Sequence, residues 1–251
     1  MSVRLAALCI DAHDPVQLAA FWAGLLGWRP AADPAAGADH GARRGIVTLV
    51  PREASADPGF RLRFLPTTAP RTGPNQMHFD LTSETPDHQR RTVNRALGLG
   101  ARHLDVGQGP DATQVVLADP EGNEMCVIEA GNRFLAGCGF IGALSGDGSP
   151  ETGRFWSQAL GWPLVWDQDE ETAIRSPHGG PKITWGGPPY RPRAGKERVH
   201  LDLVTAPGDD LRTEVERLTG LGAALADIGQ GDVPWVVMAD PDGHEFCLLP
   251  G

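Results

Sequence analysis

The chain is poor in cysteine, in basic charge and in long apolar runs, and each shortage removes a class of protein. Its four cysteines, Cys9, Cys126, Cys138 and Cys247, contain no C-x-x-C pair. Neither a zinc ribbon nor a disulfide scaffold is built that way, and free, buried thiols in a reducing cytoplasm are the expectation. Lysine and arginine total 22 against 32 acidic residues, a net charge of −10. That balance argues against nucleic acid and anionic membrane as partners, since both demand a basic footprint. No apolar run approaches the roughly 20 residues that span a bilayer. The opening run 5–10 is interrupted by Asp11 and Asp14, so it reads as a first strand and not as a signal peptide. Gly-x-Ser-x-Gly and HExxH are missing too, which leaves a serine hydrolase or zincin without support.

What is present is a duplication. Phe21-Trp22 through Leu26-Gly27-Trp28 returns as Phe155-Trp156 through Leu160-Gly161-Trp162. His78-Phe79-Asp80-Leu81 returns as His200-Leu201-Asp202-Leu203, and Gly107-Gln108-Gly109 as Gly229-Gln230-Gly231. Ala118-Asp119-Pro120-Glu121-Gly122 followed by Glu124 and Cys126 returns as Ala239-Asp240-Pro241-Asp242-Gly243 followed by Glu245 and Cys247. A repeat of this length is a duplicated domain, 1–130 and 131–251, joined by a short linker at about 130–139 that should hold the halves together.

Local signals place the elements. Asp14 and Ser149 are N-caps with proline after each, and Gly27 closes the first helix. Leu18, Phe21, Trp22, Leu25 and Leu26 share a helical face. Strands are expected at 5–11, 46–50, 60–65, 77–82, 115–118 and 125–129, helices at 86–97 and 210–218, and a loop at 31–45. Asp119-Pro120-Glu121-Gly122 suits a type I turn.

Strand–helix–three-strand units in pairs, the Phe-Trp…Leu-Gly-Trp helix end, a histidine on the next strand and the Asp-Pro-x-Gly turn together resemble the vicinal oxygen chelate superfamily, which includes glyoxalase I, extradiol dioxygenases and bleomycin-resistance proteins. The resemblance implies an α+β fold of two tandem glyoxalase-like domains, in which paired βαβββ modules form open curved sheets around a groove. It also implies, in metal-dependent members, ligands on the first and last strands of the modules. Counting back from the helix, the first-strand positions fall on Ala7 and Ile141, which cannot bind metal, and no carboxylate stands near 61–64 or 183–185. His78 and His200 match the family histidine, while the final carboxylate position holds Cys126 or Cys247. The expectation is therefore no cofactor, with His78 and His200 as the residues a divalent ion would use.

Alternation along strands puts His78 with Asp80 and Glu124 with Cys126, and likewise His200 with Asp202 and Glu245 with Cys247. A histidine beside carboxylates is an acid–base set, so His78, Asp80, Glu124, His200, Asp202 and Glu245 are the candidate catalytic residues. Cys126, Cys247, Trp185, Tyr190 and Trp235 are candidates to line a groove for a small organic metabolite. Three functions stay open: metal-free lyase or isomerase chemistry, non-catalytic sequestration of a small molecule, and divalent-metal catalysis.

Overall fold

The computed structural model describes residues 3–31, 45–52, 59–190 and 195–251. The expected loop at 31–45 falls almost wholly outside them.

In the first half, β1 (Val3–Ala12), α1 (Pro15–Leu26), β2 (Arg29–Ala31), β3 (Val47–Val50) and β4 (Arg61–Pro66) form one module. β5 (Met77–Leu81), α2 (Pro86–Gly98), β6 (Arg102–His103), β7 (Val115–Ala118) and β8 (Glu124–Val127) form the next. The second half repeats the plan with β9 (Ile141–Gly146), α3 (Pro150–Leu160), β10 (Leu164–Gln168), β11 (Glu171–Arg175) and β12 (Lys182–Trp185). It closes with β13 (Val199–Thr205), α4 (Leu211–Gly220), β14 (Ala224–Leu225), β15 (Val236–Ala239) and β16 (Glu245–Leu249). The short strands β2, β6 and β14 carry too few residues to show a period in the sequence.

The helices start and stop where the local chemistry dictates. Asp14 accepts the Gln17 N–H at 3.0 Å, Pro15 follows it, and Gly27 ends α1 in the left-handed region at φ 74°. Leu18, Phe21, Trp22 and Leu25 are the buried face.

The modules pair across the halves. One eight-stranded sheet has the order β14-β15-β16-β13-β1-β4-β3-β2, and the other β10-β11-β12-β9-β5-β8-β7-β6. Each sheet thus takes four strands from each half, joined by antiparallel β1–β13 and β5–β9. One face of both sheets and the inner faces of the helices share a continuous apolar core, with Leu8, Phe64, Phe79, Leu144 and Leu201 among its members. The opposite faces form two grooves, named below for His200 and His78.

The repeated motifs bind each other. Trp22 Nε1 donates to Asp119 at 3.1 Å, and Trp156 Nε1 to Asp240 at 2.9 Å. Asp119 also accepts from the Glu121 and Asn123 backbones and from the Asn123 side chain. Burial raises the Asp119 pKa against these bonds. The Phe-Trp helix and the Asp-Pro turn are thus two ends of one buried tie. Trp22→Phe keeps the ring and removes one donor from a buried carboxylate. We expect a loss of about 1–3 kcal/mol, read from the urea midpoint. A shift under half a kcal/mol would refute the tie's role.

Candidate functional site: two unequal grooves

Strand register lines up the groove side chains. In the first sheet Thr48, Arg63, Cys9 and His200 lie abreast on β3, β4, β1 and β13, and Asp202, Cys247 and Val237 form the adjoining row. In the second sheet the matching row is Trp166, Ala173, Thr184, Ser145 and His78. Arg175, Lys182, Ala143, Asp80, Cys126 and Val116 lie beside it. Position for position, Arg63 and Cys9 of one groove are Thr184 and Ser145 of the other.

The His200 groove contains a buried charged cluster. Arg63 Nη1 donates to Asp202 Oδ2 at 2.7 Å, and His200 Nε2 stands 3.5 Å from Asp202 Oδ1. All three are almost fully buried. Burial opposes charge on His200, but the Cys9 sulfur and the hydrogen bonds with Asp202 and Cys247 outweigh it, raising the His200 pKa well above 6.5. The Cys9 thiol is itself pushed up to about 12, chiefly by burial. That sulfur is therefore neutral at pH 7, and the Asp202 carboxylate is what keeps the proton on the ring. Burial likewise works against the Asp202 charge, and His200 and Arg63 reverse it, so its pKa is lowered.

Over this cluster opens a cavity of about 320 Å³. Ile46, Leu65, Ile228, Val233 and Trp235 make its walls, and His200, Asp202, Arg63 and Cys247 also line it. At its rim Lys196 pairs with Asp11. An apolar chamber with a few convergent polar groups is the usual form of a small-ligand site.

The linkage signs follow from these shifts. His200, raised in the fold, contributes stability that is complete below its unfolded value near 6.5 and lost as pH climbs through the folded pKa. Asp202, lowered in the fold, contributes stability above its unfolded value near 3.9 that is lost as pH falls through the folded pKa. Urea titrations across pH should show alkaline and acid declines, with His200→Gln removing part of the alkaline one. An unchanged alkaline decline in that variant would contradict the raised value.

The His78 groove is milder. His78 Nε2 lies 3.5 Å from Asp80 Oδ1, and the Ser145 hydroxyl donates to Asp80 Oδ2 at 2.5 Å. His78 is raised to about 10, burial being outweighed by Asp80 and Cys126. His78, Asp80 and Cys126 present ligand atoms within 4.8 Å of one another, as do Cys9, His200 and Asp202.

The structure thus brings together His78, Asp80 and Cys126, and His200, Asp202, Cys247 and Trp235. Alternation joins each histidine to its aspartate, and the family resemblance implies that the cysteine strands lie beside them. Several expectations need correction. Glu124 and Glu245 join neither cluster. Glu124 pairs with Arg71 and accepts the Asn75 N–H at 3.1 Å, and Glu245 accepts the Glu197 N–H at 3.3 Å. At strand starts, their carboxylates pin the segments leading into β5 and β13. Trp185 is a core residue, 2% exposed and stacked on Trp156 at 6.5 Å, because its neighbour Thr184 takes the groove face. Tyr190 is half exposed with Glu170, Asp242 and Glu151 as its charged neighbours, and does not line the His200 cavity.

The first-strand position beside each histidine is Cys9 or Ser145, not Ala7 or Ile141. Ala7 lies opposite Asp202, and Ile141 faces Leu81 in the core. Counting from the helix overshot in both halves. The positions at Ala7 and Ile141 lie 14 residues before Phe21 and Phe155 (21 − 7, 155 − 141), whereas Cys9 precedes Phe21 by 12 (21 − 9) and Ser145 precedes Phe155 by 10 (155 − 145). Arg63 also escaped the sequence reading. It sits 139 residues from Asp202, and no local pattern links them. The Gly-Gln-Gly segments are turns, in which Gln108 and Gln230 bond their own backbones.

Comparison with known proteins supports the architecture. The glyoxalase-like domain family matches residues 7–128 and again 146–249. Glyoxalase I from Zea mays superposes with a TM-score of 0.62 at 12% identity, covering 99% of this chain and 92% of that one. A putative dioxygenase from Bacillus subtilis gives 0.62 at 14%, over 99% and 85%. At these identities the likeness speaks for the fold alone. No curated protein matches the sequence.

Proposed function

We propose a function from the premise that this chain belongs to the glyoxalase-like domain family. The His200 groove takes a small organic metabolite and acts on it by proton transfer, in a lyase or isomerase step that needs no metal. One observation carries this reading: an imidazole whose proton is secured by Asp202 forms part of the lining of a 320 Å³ cavity.

The residues divide the work by their chemistry. The Asp11 carboxylate, in the lining of the same cavity, takes the proton from the carbon beside a substrate carbonyl. The electrons of that C–H bond form the enol double bond, and the His200 imidazolium gives its proton to the carbonyl oxygen. The neutral ring takes that proton back as Asp11 returns one to carbon. Asp202 orients the ring and stabilises its charge, while Arg63 fixes Asp202. Cys9, neutral at pH 7, packs the ring and is no nucleophile. Trp235 and its aliphatic neighbours hold the substrate body and keep out water.

A divalent ion, which the family's metal-dependent members hold, does not fit the His200 groove. Its carboxylate already binds the buried Arg63 guanidinium, whose positive charge would repel a cation there. In the His78 groove the partners of Asp80 are His78 and Ser145, with no guanidinium paired to it among the described residues, and the His, Asp and Cys donors suit a zinc-type ion. Any metal-assisted chemistry therefore belongs to His78, Asp80 and Cys126, where the ion would act as a Lewis acid. Sequestration without turnover is the second reading, favoured by the apolar cavity walls.

The test is deuterium exchange. Carbonyl metabolites that raise the melting temperature should incorporate solvent deuterium with the wild-type protein and fail to do so with His200→Ala at similar affinity. Binding without exchange in the wild type would favour sequestration, with Trp235→Ala then costing more affinity than His200→Ala.

A further inference from the structure

The linker between the halves packs against β10, β11 and β12 of the sheet that carries His78. Residues 132–138 fold into two tight turns, with the Ala136 N–H on Arg133 O and the Cys138 N–H on Leu135 O. Asn132 anchors their start by accepting the Leu135 N–H and donating to Glu129. Phe134 stands edge-on to Trp166, ring centroids 5.6 Å apart at 86°. The Lys182 ammonium lies 4.0 Å from its ring centroid and also donates to the Phe134 carbonyl. Arg175 Nη2 donates to the Gly137 carbonyl at 2.6 Å.

Trp166, Lys182 and Arg175 all project from the groove face that carries His78 and Asp80. Leu135, 5% exposed, covers Gly142, where a Cβ would stand 2.8 Å from Leu135 Cδ1 and 2.7 Å from Thr82 Cγ2. The bare backbone at Gly142 is what lets the segment settle. By register the other groove has Ala31, Arg61, Val50 and Ala6 at the four corresponding places. It lacks the aromatic platform and the glycine.

We propose that residues 132–138 are a resident occupant of the His78 groove, filling its β10–β12 end, so that the protein presents one open ligand groove instead of two. The segment offers what a ligand would: an aromatic ring for Trp166 and the Lys182 cation, and two carbonyls for Lys182 and Arg175. Being covalently attached, it competes at high effective concentration. The proposal stands apart from the chemistry assigned to His200, because its first readout lies in the His78 groove alone.

Thiol access tests it. In a Cys138→Ser background with EDTA present, a thiol placed on the groove face of β12 by Thr184→Cys is labelled with 5,5′-dithiobis(2-nitrobenzoate) and followed by peptide mass. Phe134→Ala should speed labelling at position 184 by about tenfold, as an occluding segment opens. Binding of 8-anilinonaphthalene-1-sulfonate should rise from about one to about two molecules per chain as the second groove clears. If Phe134→Ala unfolds the chain, Arg175→Met with Lys182→Met releases the same segment and carries the same readouts. Unchanged labelling and unchanged dye stoichiometry in a folded variant overturn the proposal.

Discussion

Asp202→Asn should cost about 3–5 kcal/mol of stability, the range for breaking a buried ion pair from one side. The loss does not measure a favourable bond. Asp202 is the carboxylate shared by Arg63 and His200, at 2.7 and 3.5 Å, and all three side chains lie out of water. The amide leaves a guanidinium beside an imidazole that has lost the reason for its raised pKa. Burial and the unpaired guanidinium should then push the His200 pKa below its unfolded value near 6.5, and the variant should regain part of its loss as pH rises from 5 to 8, opposite to the wild type. Urea midpoints at the two pH values measure both effects. Replacing Arg63 and Asp202 together by Met and Leu removes charge in balance and should cost clearly less than Asp202→Asn alone. A cost below about 1 kcal/mol for Asp202→Asn would mean that water reaches the cluster.

The second large effect separates the two grooves. His200→Ala should lower catalysed deuterium exchange by about 10²–10⁴, the usual contribution of a positioned acid–base group, with binding changed only a few-fold. His78→Ala should leave the exchange nearly intact. The two histidines share a motif, and their neighbours differ: Arg63 and Cys9 around one, Thr184 and Ser145 around the other. Equal losses in both variants would mean that the copies work alike and that the linker does not disable the His78 groove. A loss confined to His78→Ala would transfer the proposed chemistry to that side.

The duplication made much of this legible from sequence. The caps at Asp14 and Ser149, the buried helix face of Trp22 and the His-x-Asp strands all follow from local rules, and the structure has them there. Three features had no local signal. Arg63 meets Asp202 only because modules of different halves share a sheet, a choice that strand patterns leave open. Cys9 was missed because the strand-to-helix connection before Phe21 is two residues shorter than the count that led to Ala7 (12 against 14). Trp185 shows the sharpness of alternation: one step along β12 separates a core tryptophan from the groove threonine at 184. Glu124 and Glu245 share the groove parity but begin their strands, where backbone N–H groups claim them first.

Nitrogen-15 NMR of the histidine rings, with His200 assigned through His200→Gln, tests the central claim most directly. A proton secured by Asp202 predicts an imidazolium at pH 8, both ring nitrogens protonated, and its conversion in Asp202→Asn to a neutral ring that titrates below the free value near 6.5. A neutral His200 ring at pH 8 in the wild-type protein would contradict the account, because the groove would then hold no acid to give.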